Sequence, residues 1–183
     1  QQGEKRRRAA AERAARERKA RIDEALRQHE ELSQQREQRK KGDGKKTRVS
    51  TTDPDARKMK MANGGYNPAF NVQFVSDADS RVIVGVDVTN AGTDGGELAP
   101  MYDKVRSNYG KTPKKALVDS AYATKEGVKI VESAGTEVVS TIPRSEQLAK
   151  HGKDPHARQK GDSDEYANFR ARMAEAEYQE LYK

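Results

Sequence analysis

No cysteine and no tryptophan occur among the 183 residues, and phenylalanine occurs only three times. Without cysteine there is neither a disulfide framework nor a thiolate metal site. No window holds the roughly 18 consecutive apolar residues of a membrane-spanning helix, and the opening residues lack the build of a signal peptide. The glycine spacings of Walker and dinucleotide-binding loops follow none of the apolar runs, so a small nucleotide-binding domain is the weakest functional reading. Hydrophobic residues make up 33% of the chain and charged ones 36%, so only part of it can bury a core. The length suits one domain of roughly 100–150 residues plus something extended.

Charge is what the chain has in quantity, and it is unevenly placed. Residues 1–48 hold 17 Lys and Arg against 9 Asp and Glu, whereas residues 49–183 hold 19 against 20. A basic arm on a near-neutral body is therefore expected, with a polyanion such as DNA as the arm's natural partner. From Glu4 to about Arg39 there is no Pro or Gly, and Ala, Glu, Gln, Arg and Lys dominate, which predicts a helix ~50 Å long. Its apolar seam is thin: Ala15, Ile22, Ala25, Leu26 and Leu32, with His29 at the next core position. Such a seam could pair two arms or lie against a body. The candidate nucleic-acid contacts are Arg6, Arg7, Arg8, Arg13, Arg16 and Lys19 on the arm, then Lys40, Lys41, Lys45 and Lys46 around Gly42-Asp43-Gly44. A solvated charged helix is the bland alternative.

Three regions follow: a basic helical arm over 1–41, a basic linker over 42–65 ending in the hinge Asn63-Gly64-Gly65, and an α/β domain over 66–183. In the last, Phe70, Val72 and Phe74 alternate with polar residues, as do Val82, Val84, Val86 and Val88. The turn Asp77-Ala78-Asp79-Ser80 joins them into an antiparallel hairpin. Asn90 to Gly96 reads as a flexible connection. Leu98, Met101, Tyr102, Val105 and Tyr109 mark an amphipathic helix stopped by Gly110. Ala116, Leu117 and Val118 form a short strand ending at Asp119, before a helix capped by Thr124. Val138, Val139 and Ile142 form another strand, and a last helix starts at Asp162 or Ser163 and runs to the end. His151 and His156 have no third ligand nearby and are expected to face solvent.

Asp119 is the residue of most interest. The carboxyl end of a strand before a helix is where ligands and metals collect in open α/β sheets. An aspartate that only caps the strand-to-helix turn is the other reading of the position.

The wording of three segments carries a resemblance. Asn67-Pro68-Ala69-Phe70-Asn71-Val72-Gln73-Phe74, Val82-Ile83-Val84-Gly85-Val86-Asp87-Val88-Thr89-Asn90 and Leu117-Val118-Asp119-Ser120-Ala121-Tyr122 closely resemble bacterial insertion-sequence transposases of the DDE type. Ser50-Thr51-Thr52-Asp53-Pro54-Asp55-Ala56, with the charged helix before it, looks like the insert between such enzymes' first two core strands. The resemblance implies a partial RNase H-like fold, that is, a mixed sheet with flanking helices preceded by the long basic helix. It also implies DNA as substrate, a bacterial cytoplasmic setting, and Mg²⁺ or Mn²⁺ as cofactor. In that family three carboxylates hold two divalent ions for in-line attack on a phosphodiester. Asp119 matches the second catalytic, metal-binding aspartate. The first acid is expected upstream of Gln1 and the glutamate downstream of Tyr182-Lys183, so the chain reads as a fragment with one acid of three, inactive alone and binding metal weakly. Asp77, Asp79 and Asp87 fit turn and strand roles better than metal binding, and Glu175, Glu177 and Glu180 fit an exposed helix face. A non-enzymatic basic nucleic-acid-binding protein is the competing reading.

Overall fold

The structure, a computed structural model, describes residues 2–182. The chain forms two compact units. One runs to Asn71 and takes in Thr89–Gly92; the other holds Val72–Val88 and the chain from Thr93 onward.

The first unit begins with helix α1 (Gln2–Arg39). Continuous helix formers account for its length, and residues 3–23 are exposed all round. Only part of the expected seam is covered. Ala25 and Gln28 are buried, whereas Ile22, Leu26 and His29 face solvent. A polar contact selects this face: Gln28 Nε2 donates to Asp55 Oδ1 at 2.8 Å and to Glu24 Oε1 at 2.8 Å. Past the helix, the Glu37 carboxylate accepts from the Gly42 and Gly44 N–H groups at 2.8 and 3.0 Å. A Cβ on Gly44 would lie 2.8 Å from the Ser33 carbonyl oxygen, so only glycine fits there. A 3₁₀ turn over Gly44–Lys46 carries Lys45 and Lys46.

Strands β1 (Arg57–Lys60) and β2 (Tyr66–Ala69) then pair antiparallel, with Met59 opposite Asn67 and Lys60 opposite Tyr66. The stretch read as linker and hinge thus holds a strand and its turn. Gly64 adopts φ +82° and Met61 N–H donates to the Gly65 carbonyl at 2.8 Å. Arg57-Lys58-Met59-Lys60 has one apolar residue, too few for an alternation to show.

The second unit follows the expected order of elements. Strands β3 (Asn71–Ser76) and β4 (Ile83–Thr89) are hydrogen-bonded neighbours. Their connection is too short for a parallel crossover, so they form a hairpin. Then come α2 (Leu98–Tyr109), β5 (Lys115–Leu117), α3 (Lys125–Ser133) and β6 (Glu137–Val139). A short helix, α4 (Ser145–Lys150), lies between β6 and the closing helical region. The single closing helix is instead two, α5 (Asp164–Arg172) and α6 (Ala176–Tyr182).

The architecture is mixed α/β. Among the described residues the strands pair two by two rather than in one continuous mixed sheet: β1 with β2, β3 with β4, and β5 parallel to β6. The core lies around β6. Val138 and Val139 are fully buried with Val128 and Val131 of α3 and Phe169 of α5, and Leu98, Tyr102 and Tyr166 close it. Each large apolar side chain there contributes about 1.5–3 kcal/mol of burial.

Three ion pairs, centred on two carboxylates, stitch this core. Asp162, just before α5, is held by Arg170 Nε at 2.9 Å and Lys125 Nζ at 2.8 Å. Arg172 pairs with Glu132 and also donates to the Val138 carbonyl at 3.1 Å.

The alternating face of the β3–β4 hairpin behaves in an unexpected way. Val72, Phe74, Val86 and Val88 are exposed, Phe74 by 63%. The face carrying Gln73 and Gly85 is the buried one. A Cβ at Gly85 would sit 3.4 Å from the Val105 side chain of α2, an ordinary contact distance, so α2 covers this face.

Candidate functional site

Asp119 is placed by a strand, a turn and a helix cap. β5 runs parallel to β6 with Ala116 beside Val138 and Leu117 beside Val139, and the Val118 N–H continues the ladder to the Val139 carbonyl at 3.0 Å. The chain then turns: Tyr122 N–H donates to the Asp119 carbonyl at 3.0 Å, and Ala123 N–H to that of Ser120 at 3.2 Å. Thr124 caps α3, its hydroxyl accepting from Gly127 N–H at 3.1 Å. The Asp119 side chain is exposed at the carboxyl end of the strand. Its Oδ1 accepts from the Ser120 hydroxyl at 3.1 Å and the Ala121 N–H at 3.3 Å. Those contacts orient the carboxylate without burying it.

The hairpin is fastened to this turn by a side chain to which the sequence assigned no role. Gln73 of β3 is 2% exposed. Its amide nitrogen donates to Asp94 Oδ1 at 3.0 Å, and its carbonyl accepts from the Tyr122 hydroxyl. The Asn90–Gly96 connection is part of the same arrangement. A Cβ at Gly95 would lie 3.6 Å from the Ala121 carbonyl and 3.5 Å from the Thr124 methyl. Burial raises the Tyr122 phenol above its ordinary range, and the Asp94 charge acts in the same direction, with smaller contributions from Glu97 and Asp119. The only sequence signal for this arrangement was a glutamine in a strand otherwise spaced by apolar residues.

Of the other acids, Asp77, Asp87 and Glu177 are engaged elsewhere. Asp77 Oδ1 accepts from Ser80 N–H at 2.8 Å and its hydroxyl at 2.7 Å, which closes the hairpin turn and lowers the carboxyl pKa. Asp87 accepts from Val88 N–H at 2.9 Å and pairs with Lys104 at 3.1 Å, with the same effect. Glu177 of α6 pairs with Lys115 at 3.1 Å. His151 is exposed, whereas His156 is half-buried, its Nδ1 3.3 Å from the Arg170 carbonyl.

Two octahedral divalent ions need several carboxylate oxygens converging on one point. Among the described residues no group of three or more His, Asp or Glu side chains is spaced to hold a metal ion. The donor set around Asp119 therefore does not fit a two-metal centre.

The ten candidate nucleic-acid residues lie along the first unit. Arg6, Arg7, Arg8, Arg13, Arg16 and Lys19 are on the exposed part of α1, where Arg8 pairs with Glu12 at 3.2 Å. Arg6 and Arg13, seven apart, share one side, and Arg8 and Lys19, eleven apart, share another. The positive charge therefore surrounds the helix rather than lining one face. Lys40 and Lys41 follow the helix, and Lys45 and Lys46 sit on the 3₁₀ turn, with Lys46 paired to Asp43 at 2.8 Å.

Residues 42–183 match the family model described as Transposase DDE domain. No curated protein and no solved structure matches the chain. The matched span contains Asp119, Gln73 and Tyr122 and leaves out the arm.

Proposed function

The chain belongs to the Transposase DDE domain family, and from that premise we propose that its substrate is DNA and that Asp119 is one of the family's catalytic carboxylates. The observation that carries this is the placing of Asp119: exposed, at the carboxyl end of a parallel strand, and fastened through Tyr122 and Gln73 to the hairpin. The order hairpin, helix, strand, helix, strand supports an RNase H-like reading of the second unit. Divalent ions, Mg²⁺ or Mn²⁺, serve the family's strand cleavage and transfer. One exposed carboxylate does not meet their coordination needs, so the chain alone binds DNA and does not cut it. The arm cations and Lys40, Lys41, Lys45 and Lys46 supply phosphate contacts. Ile22 and Leu26, exposed on α1, offer a short seam through which two arms could associate. The setting that suits these roles is the bacterial cytoplasm.

A second reading, a non-enzymatic nucleic-acid binder, is favoured by the arm, whose cations are exposed on every side. Two assays on the full chain test both. Fluorescence anisotropy with duplex DNA should give an affinity that falls steeply with salt. Replacing Arg6, Arg7 and Arg8 by Gln should flatten that slope by about 0.9 for each phosphate no longer neutralised. An unchanged slope removes the arm from the interface. Incubation with supercoiled plasmid and Mg²⁺ or Mn²⁺ should leave it intact. Cleavage that disappears in Asp119→Ala would overturn the incomplete-centre reading and confirm the enzyme.

A further inference from the structure

The β1–β2 hairpin presents a surface that none of the roles above uses. In an antiparallel pair, directly opposed residues point to the same face. The register sets Lys58 opposite Pro68 and Lys60 opposite Tyr66, so all four share one face, while Met59 is buried on the other. A cleft of about 160 Å³ opens beside that face, lined by Arg48, Ser50, Ala56, Lys58, Tyr66 and Pro68 among others.

The lining is chemically mixed in a specific way. Tyr66 is 58% exposed, and Lys58 Nζ lies over one face of its ring, 4.8 Å from the centroid, so a stacked base would take the opposite face. Arg48 is exposed at the rim, its Nη1 anchored to the Thr47 carbonyl at 2.8 Å. The Ser50 oxygen accepts from the Asp53 N–H at 3.1 Å and the Thr52 N–H at 3.3 Å, which leaves its own hydrogen to donate. An aromatic platform, two cations and a hydroxyl donor around one small cleft suit a ligand with a flat ring, a carbonyl and flanking anionic groups.

Size narrows the ligand further. A closed cavity of about 150 Å³ holds one benzene ring, so this cleft, open to solvent on one side, is on the scale of a single six-membered ring. A base within a duplex has both faces covered by its neighbours. Single-strand binders combine a cationic track with aromatic rings on which unpaired bases stack.

We infer that the Arg48–Lys58–Tyr66 cleft binds one unpaired pyrimidine of single-stranded DNA, with the base on Tyr66 and its flanking phosphates on Arg48 and Lys58. The inference rests on the DNA reading above for the choice of polymer. The duplex contacts proposed there lie on α1 and the loop after it, so the two can fail separately.

The full chain is titrated by anisotropy with a labelled oligothymidylate and, in parallel, with a duplex of equal length. Tyr66→Ala should weaken oligothymidylate binding about 5- to 150-fold and leave duplex affinity unchanged, while Tyr66→Phe should retain the wild-type value. Lys58→Gln and Arg48→Gln should each lower the single-strand salt slope by about 0.7. Photo-cross-linking with a 5-iododeoxyuridine oligonucleotide should attach to Tyr66, as read by peptide mass spectrometry. Wild-type oligothymidylate binding by Tyr66→Ala overturns the inference, as does an equal loss on duplex and single strand, or cross-links confined to α1. A chain that ignores duplex but loses oligothymidylate with Tyr66→Ala keeps the cleft and overturns the arm's role.

Discussion

If Gln73 ties the hairpin to the Asp119 turn, Gln73 and Tyr122 must behave as one unit when mutated. Tyr122→Phe deletes the hydroxyl that donates to the buried Gln73 carbonyl. A buried acceptor left alone costs about 1–3 kcal/mol. Gln73→Leu deletes that same bond and the one to Asp94 at 3.0 Å, a hydrogen bond to a charged acceptor worth about 1.5–3 kcal/mol. The expected costs are thus about 1–3 kcal/mol for Tyr122→Phe and about 2–4 kcal/mol for Gln73→Leu. The double variant loses the shared bond only once, so its cost should fall short of the sum by about 1 kcal/mol. Urea unfolding followed by circular dichroism measures all four corners of the cycle. Amide exchange locates the effect: the Tyr122 and Ala123 N–H groups, which bond back to Asp119 and Ser120, should exchange about tenfold faster for each 1.4 kcal/mol lost locally. Additivity within about 0.3 kcal/mol, with unchanged exchange at those two amides, would refute the tether.

Other outcomes follow from the same geometry. Arg170→Met removes a 5%-exposed guanidinium from the fully buried Asp162 carboxylate and should cost about 3–5 kcal/mol in urea melts, whereas Lys125→Met, about half exposed, should cost about 0–1 kcal/mol. Burial opposes the charged form of Asp162, but Lys125, the Gln159 N–H and Arg170 outweigh it and lower its pKa below 3.8. The stability this contributes is present above pH 3.8 and disappears as pH falls through the lowered value, and acid melts of wild type against Asp162→Asn should show it. Burial raises the phenols of Tyr166 and Tyr122 above 10.0, so their contribution is complete below pH 10 and is lost as pH climbs through the raised values. Thermal melts between about pH 9 and 11 should fall more steeply in wild type than in Tyr122→Phe. Asp119→Asn, at an exposed position, should leave stability within about 0.5 kcal/mol.

Local signals were legible where one residue decides a boundary. Thr124 and Ser163 each accept from an N–H three residues on, and Gly110 takes φ +63° to end α2, as their types predict. The strand ending at Asp119 was readable for the same reason: an apolar triplet between breaks has few alternatives. The β1–β2 hairpin was not, because Arg57-Lys58-Met59-Lys60 buries one side chain and its pairing depends on a distant partner strand. The closing helix was read as one because every residue across Met173–Glu175 favours helix. The break there brings Tyr178 to Glu137 at 2.9 Å, a tertiary contact that periodicity cannot contain.

Alternation fixes which residues share a face but not which face is covered. On the β3–β4 hairpin, valines and phenylalanines mark one face, and hydrophobicity alone would bury it. The opposite face wins because it carries the smallest residue and a glutamine with two partners. Gly85 lies against Val105 of α2, and Gln73 meets Tyr122 and Asp94. Once Gln73 is bonded at both ends, turning the hairpin over would strip its amide of both partners and set the Tyr122 hydroxyl against apolar side chains. The apolar face gains burial only if something lies against it, and a two-stranded ribbon is marginal without such support. The fastening of the hairpin to the Asp119 turn therefore determines its orientation, and the exposure of Val72, Phe74, Val86 and Val88 follows from it.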